Sequence, residues 1–268
     1  AAMREHKPES VLPLIQVDPM EVEIGYNLIP LVDPEQGGTL LERITNIRRR
    51  SAIDMGLIVP PIRIRDNMEL EPSCYSILIK GVELGSGSLQ VGKLMAMDPG
   101  DVHEKIEGLE FTEPVFGLKA IWIDADARDV AERKGYTVVD CPTIIATHLT
   151  EIIKRHADEI LGRQEVQQLI DSIKNDYPAV VGELITEKKM SIGEIQKVLQ
   201  NLLRERISIR NIVTILETLS TYVNYTKDPG MLTEYVRIAL ARQICKDYLD
   251  ENNTLSVITI DPEIENVI

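Results

Sequence analysis

The side chains best suited to catalysis or metal binding are few and widely separated in this sequence. They are four histidines and three cysteines, namely His6, His103, His148, His156, Cys74, Cys141 and Cys245. His148 and His156 are about two turns apart on one predicted helix, too far to share a metal ion. No Cys-x-x-Cys, His-Glu-x-x-His or Gly-x-Ser-x-Gly pattern occurs. We therefore expect structural histidines, no metal, no cofactor and no enzymatic activity.

A glycine-rich run is the other feature that could carry chemistry. Glycines stand at Gly81, Gly85, Gly87 and Gly92. A phosphate-binding loop needs a Gly-x-x-x-x-Gly-Lys-Ser/Thr spacing followed by a helix, and this run has neither. We interpret Gly85–Ser88 as a flexible crossing between two modules.

Composition excludes several classes of partner. The 268 residues carry a net charge of −14, which argues against nucleic acid and against an anionic membrane surface, because cations drive both interactions. We find no signal peptide and no run of about 18 apolar residues, so we expect no membrane span. Only 4% of residues are aromatic, so the core must consist mainly of Leu, Ile and Val.

The sequence of the first part of the chain predicts both helix and strands. A capping box at Thr39–Glu42 starts a helix that ends near Met55-Gly56. After Pro60-Pro61, alternating apolar and charged residues predict a strand over Ile62–Arg65, and a second strand follows at Tyr75–Lys80. We expect these two strands to form a hairpin-like unit. An earlier segment, Val22–Val32, predicts a strand with a late bend.

The remaining elements fall into a small α/β block and a run of helices. Residues 93–140 predict short strands around one helix, which Asp124 caps and Gly135 ends. Helices are then predicted over 141–156, Arg163–Asn175, Ile192–Glu205, Ile209–Tyr222 and Pro229–Tyr248. Leu255–Ile260 reads as a final strand. Since a single strand is not a domain, we expect more protein beyond residue 268.

Several stretches together resemble a known family. They are IVPPIRIRDN (58–67), GYNLIPLVD (25–33), YSILIKGVELGSG (75–87), FGLKAIWI (116–123), ATHLTEII (146–153), GRQEVQQLID (162–171) and KVLQNLLRERISIRNIVTILETL (197–219). In this order they resemble the cytoplasmic domain of the type III secretion export-gate proteins. The flagellar branch fits better than the injectisome branch, mainly through Glu113–Ile123.

The resemblance implies an α+β fold with several subdomains. Residues 1–19 would be a linker from a membrane part that is absent here. Subdomain 1, an α/β unit, would be discontinuous, formed by 20–91 and 141–160. A small ferredoxin-like α/β subdomain 2 would be inserted at 92–140. An all-helical subdomain 3 would span 161–240, and 241–268 would start a truncated subdomain 4.

The resemblance also implies a docking function. Export chaperones carrying late substrates would bind a hydrophobic groove between subdomains 1 and 2, lined by Met97, Pro99, Glu113, Phe116 and Thr147. An aromatic on a loop between Pro114 and Gly117 suits a binding hot spot, although Phe116 and Met97 could equally pack between the subdomains.

Further partners follow from the same resemblance. They would be the stalk of the ATPase complex, the export-gate switch protein and other copies in a nonameric ring, at the cytoplasmic face of the bacterial inner membrane. Three alternatives stay open: an injectisome homologue, a purely structural ring component, and a hydrolase or transferase.

Overall fold

The computed structural model describes residues 15–100, 102, 104–187 and 189–259. Its described residues form two compact units, one within 1–52 and 58–160 and the other within 53–57 and 161–268. We call them the sheet unit and the helical unit. The predicted α+β class is confirmed, while the finer division into four subdomains stays a prediction. Most of the predicted linker, residues 1–14, lies outside the described residues.

The sheet unit contains two four-stranded sheets. Their strands are β1 (Met20–Ile24), β2 (Ile62–Asp66), β3 (Cys74–Ile79), β4 (Val82–Ser88), β5 (Leu94–Met97), β6 (Leu109–Thr112), β7 (Lys119–Ile123) and β8 (Thr137–Val139). The helices of this unit are α1 (Leu40–Met55, whose last turn belongs to the helical unit), α2 (Arg128–Arg133), α3 (Cys141–Arg155) and α4 (Ala157–Ile160).

The first sheet has the strand order β2-β1-β3-β4. Both predicted strands, β2 and β3, are present, but the expected hairpin between them is wrong, because β1 lies between them. The apolar side chains of β1 explain its central place, since Met20 and Val22 are fully buried. Strand β2 instead exposes Arg63 and Arg65, which pair with Asp18 and suit an edge strand.

The predicted strand Val22–Val32 is shorter than expected. Only β1 is extended, and Tyr26–Leu31 then forms a 3-10 helix in which Leu28 is fully buried. Pro30 lies inside this short helix. Because proline has no N–H to donate to a sheet, the chain leaves the sheet before it reaches that residue.

The flexible crossing predicted at Gly85–Ser88 is also wrong, because these residues belong to β4 and pair with β3. Gly85 and Gly87 allow large side chains to pack closely against this strand. A Cβ atom at Gly85 would lie 2.5 Å from Nε2 of His148, and one at Gly87 would lie 2.8 Å from the Tyr75 hydroxyl. Glycine inside a strand often marks such a close approach.

The second sheet has the order β6-β7-β5-β8, with all neighbours antiparallel. This is the strand order of a ferredoxin-like sheet, in which the first crossover helix is missing from the described part of 98–108. One face packs on α2 through Ala96, Ile123, Ala131 and Tyr136. Asp124 precedes a 3-10 turn without capping it through its side chain, and pairs with Lys93 instead.

The helical unit consists of short helices with strong local signals. They are α5 (Arg163–Ile173), α6 (Pro178–Val181, followed by a π-helical turn), α7 (Ile192–Arg204), α8 (Ile212–Tyr222), α9 (Pro229–Ala239) and α10 (Ala241–Asp247). The predicted capping box of Ser191 and Glu194 is present, and Asp228 caps α9. Helix α8 starts later than predicted because Asn211 caps it, and the predicted helix 229–248 is interrupted at Leu240.

The end of the described chain differs from the prediction. Residues 254–259 have no regular secondary structure, so the strand predicted at Leu255–Ile260 is wrong for them, and Ile260 lies outside the described residues. Val257 and Ile258 are exposed, and a strand needs a partner to satisfy its backbone groups. Among the described helices, none has the length and apolar character to cross a membrane.

Candidate docking site

The loop that joins β6 to β7, residues 113–118, is organised around one buried carboxylate. Glu113 is only 1% exposed. Its Oε2 accepts the N–H of Val115 at 2.7 Å, and its Oε1 accepts those of Phe116 at 2.6 Å and Leu118 at 3.1 Å. The Glu113 N–H in turn donates to the Leu118 carbonyl. Hydrogen bonds to a carboxylate are among the strong ones, so this loop has a fixed shape.

This shape separates two neighbouring apolar side chains. Val115 is buried, whereas Phe116 is 53% exposed. Gly117 follows with φ of +70°, a backbone conformation that a residue with a side chain rarely adopts. Phe116 is therefore presented to solvent from a tight turn and does not pack in the core. An exposed aromatic on a rigid loop is a typical binding anchor.

Two other predicted residues lie at the same end of the second sheet. Met97, the last residue of β5, pairs with Ala120 on β7, two residues after Leu118, at which the loop ends. Met97 is half-buried, and Pro99 is exposed two residues further on. Asp98 accepts the Gly100 N–H and closes a turn there. The structure thus brings Met97, Pro99, Glu113 and Phe116 to one end of the sheet.

Thr147 belongs to a different element, helix α3. This helix begins after Asp140, whose carboxylate accepts the Thr143 N–H, and its buried stripe includes Ile144, Leu149 and Ile152. Thr147 is half-buried. Its neighbour His148 lies close enough to Glu113 for their charges to interact. Thr147 therefore lies on a different element from the strands and loop that carry the other four predicted residues.

A buried, hydrogen-bonded pair of side chains near this loop, Tyr75 and His148, was not identified from the sequence. The Tyr75 hydroxyl lies 2.9 Å from Nδ1 of His148, and the two rings meet edge to face. Both side chains are buried, in the space left by Gly85 and Gly87. The alternation of glycine with small residues in β4, opposite an aromatic in β3, is the signal that could have revealed this packing.

Burial decides the protonation of these groups. It raises the pKa of the Tyr75 hydroxyl well above its usual value, and the charge of Glu113 adds to that effect. Burial also lowers the pKa of His148, although the charge of Glu113 opposes this. Burial raises the pKa of the Cys141 thiol to about 11, so it is not an activated nucleophile. Within the described residues, no group of three His, Cys, Asp or Glu side chains could hold a metal ion.

Comparison with known proteins identifies the family to which this chain belongs. The sequence profile of the FHIPEP family matches residues 1–268. The flagellar biosynthesis protein FlhA of Bacillus subtilis is 50% identical over 261 residues, which are 97% of this chain and 38% of that protein. This chain therefore spans well under half the length of that relative.

Solved structures show the same fold. The Chlamydia pneumoniae CdsV protein superposes with a TM-score of 0.81 at 26% identity, over 94% of this chain and 74% of that one. The nonameric SctV-C of EPEC superposes with a TM-score of 0.64 at 21% identity, over 94% and 81% of the two chains. The chain belongs to the FHIPEP family of flagellar and type III secretion export-gate proteins.

Proposed function

We propose that this chain is a docking platform of the flagellar protein export gate, on which export chaperones carrying late substrates bind around Phe116. The observation that carries the proposal is the exposure of Phe116 on a loop of fixed shape. Met97 and Pro99 lie at the same end of the sheet and would add apolar area beside Phe116. Family membership supports a role in export, and it does not point to an enzyme.

The surface has the chemistry of a protein-binding anchor. A half-exposed phenylalanine offers a large apolar area that loses little conformational entropy on binding. Met97 adds a flexible apolar side chain, which can adapt to several partners. Thr147 would form the opposite wall from helix α3. Export would then be ordered by how tightly each chaperone complex binds here.

We also propose that the whole protein assembles as a ring at the cytoplasmic face of the inner membrane, where it meets the stalk of the ATPase complex and the export-gate switch protein. The similar SctV-C was solved as a nonamer, and this likeness supports the ring. A purely structural ring component is the alternative, and it needs no partner at Phe116.

Calorimetric titration with a chaperone–substrate complex from the Bacillus subtilis flagellar system tests the docking proposal. Removing a hot-spot aromatic costs about 2 kcal/mol or more, so Phe116→Ala should weaken binding about 30-fold. Leu109→Ala is the matched control, since Leu109 is an exposed apolar residue on β6. Circular dichroism should show all proteins folded.

Equal binding by both variants and the unaltered chain would reject docking at Phe116. Loss of ring assembly by Phe116→Ala, with chaperone binding unchanged, would support the structural alternative.

A further inference from the structure

Glu113 differs from the other residues of the candidate site because a partner cannot reach it. Its side chain is 1% exposed, whereas Phe116, three residues later, is 53% exposed. Both of its oxygens already accept backbone N–H groups of its own loop. A residue that contacts a partner directly has to be accessible, and Glu113 is not.

The loop depends on this carboxylate for its backbone hydrogen bonds. Pro114 has no N–H, and the N–H groups of Val115, Phe116 and Leu118 all point at Glu113. Without the carboxylate, these three donors would lose their partners, and unpaired backbone donors near the core are costly. The direction of the Phe116 side chain therefore depends on Glu113.

The carboxylate lies near side chains of strand β3 and helix α3. The charge of Glu113 acts on both Tyr75 and His148, which are hydrogen-bonded to each other. A Cβ atom at Gly87 would lie 3.0 Å from Pro114, so the loop also packs closely on strand β4. Glu113 thus lies between its loop and the first sheet, on the side away from solvent.

We propose that Glu113 is a positioning residue that shapes the loop so that Phe116 meets the partner, and that the partner's own anchor is an apolar side chain, not a cation paired with Glu113. This inference rests on the proposed docking function. It assigns Glu113 a role that differs from the direct contact expected from the sequence.

The first measurement uses the protein without any partner. In ¹H–¹⁵N spectra and hydrogen exchange, Glu113→Gln should shift the loop amide signals and speed the exchange of at least one of Val115, Phe116 and Leu118 about ten-fold. The glutamine oxygen can still accept, but its NH2 group cannot replace the second carboxylate oxygen as an acceptor. Glu113→Asp should preserve the Val115 and Phe116 bonds, since aspartate commonly accepts N–H groups two and three residues ahead. Glu110→Gln, an exposed acid on β6, is the control.

The second measurement is titration with the same Bacillus subtilis chaperone–substrate complex. Glu113→Gln should weaken binding about ten-fold and Glu113→Asp less than three-fold. The loss of affinity should thus be larger for the variant whose loop amide signals change more. The slope of log Kd against log salt should be the same for Glu113→Gln and the unaltered chain, because no ion pair with the partner is lost.

The outcomes separate this inference from the docking proposal. Unchanged loop amides in Glu113→Gln would overturn the positioning role whatever happens to binding. A smaller salt slope in Glu113→Gln, with loop amides intact, would show a direct ion pair and would also overturn it. Altered loop amides with full binding by Phe116→Ala would instead contradict docking at Phe116 and leave the loop role standing.

Discussion

The two units are stabilised in different ways. In the helical unit, the described buried polar side chains are Ser220 and Thr233, and the rest of its core is apolar. In the sheet unit, three ionisable side chains, Tyr75, Glu113 and His148, are buried beside the loop that presents Phe116. Buried ionisable groups are costly unless they are hydrogen-bonded, and they tend to be found at functional sites. By this comparison, the surface that we propose for docking lies on the unit that buries ionisable groups, and the helical unit has the apolar core of a structural scaffold.

The largest effect expected is on the helical core. Leu199 on α7 is fully buried, and Leu199→Ala should lower the free energy of unfolding by about 3 kcal/mol, because it removes apolar contacts and leaves a cavity. Urea denaturation measures this change. Chaperone binding by the folded protein should stay within two-fold of normal. If Leu199→Ala is fully folded but binds the chaperone complex much more weakly, the proposed division of roles between the two units is wrong.

A smaller loss is expected from Gly85→Ala in the sheet unit. The added Cβ would meet the His148 ring at 2.5 Å, and such overpacking costs about 1–3 kcal/mol. Gly182→Ala is the matched control, because apart from its chain neighbours and the backbone of its own helix no atom lies within 4 Å of its Cβ position in the π-helical turn. Thermal denaturation should show a clear loss for the first variant and none for the second. Equal stability of both would argue against close packing of His148 on β4.

The pH dependence of stability should come partly from His148. Its pKa is lowered in the folded protein, so below about pH 6.5 the unfolded chain binds more protons and stability falls as the pH falls. The slope from one proton is at most about 1.4 kcal/mol per pH unit. The groups that act on His148 are Tyr75 on β3, Glu113 on the loop and Arg155 on α3.

Urea denaturation between pH 5 and 8 tests this effect, with His148→Gln as the comparison. The variant should lose part of the slope below pH 6.5. An unchanged slope would mean that the ring is not kept neutral by burial, and would weaken the contrast between the two units.

Local features were predictable where a short stretch determines the outcome. The capping box of Ser191 and Glu194 fixes the start of α7, and Asp228 before Pro229 fixes the start of α9. The alternation in Ile62–Arg65 likewise gave strand β2. Each signal acts over about four residues, so the rest of the fold is not needed to interpret it.

Of the candidate site, the sequence predicted that Phe116 lies on a loop, but left open whether it is exposed and did not predict the role of its neighbours. Pro114 and Gly117 flank an aromatic in a way that suits a loop, and the structure shows that loop. The burial of Glu113 could not be predicted, because a glutamate in an acidic chain is normally exposed. Whether Met97, Pro99 and Thr147 bind a partner stays a prediction.

The sequence by itself determined the family, the α+β class and most helix and strand positions, because these follow from motifs and periodicity along the chain. Only the tertiary structure decided that β1 separates β2 from β3, that Gly85 and Gly87 make room for His148 and Tyr75, and that Glu113 is turned inward. The physical reason is distance along the chain: Tyr75, Glu113 and His148 come together only through packing between residues tens of positions apart. The glycines of β4 indicate that large groups pack there, but the local sequence does not show which groups these are.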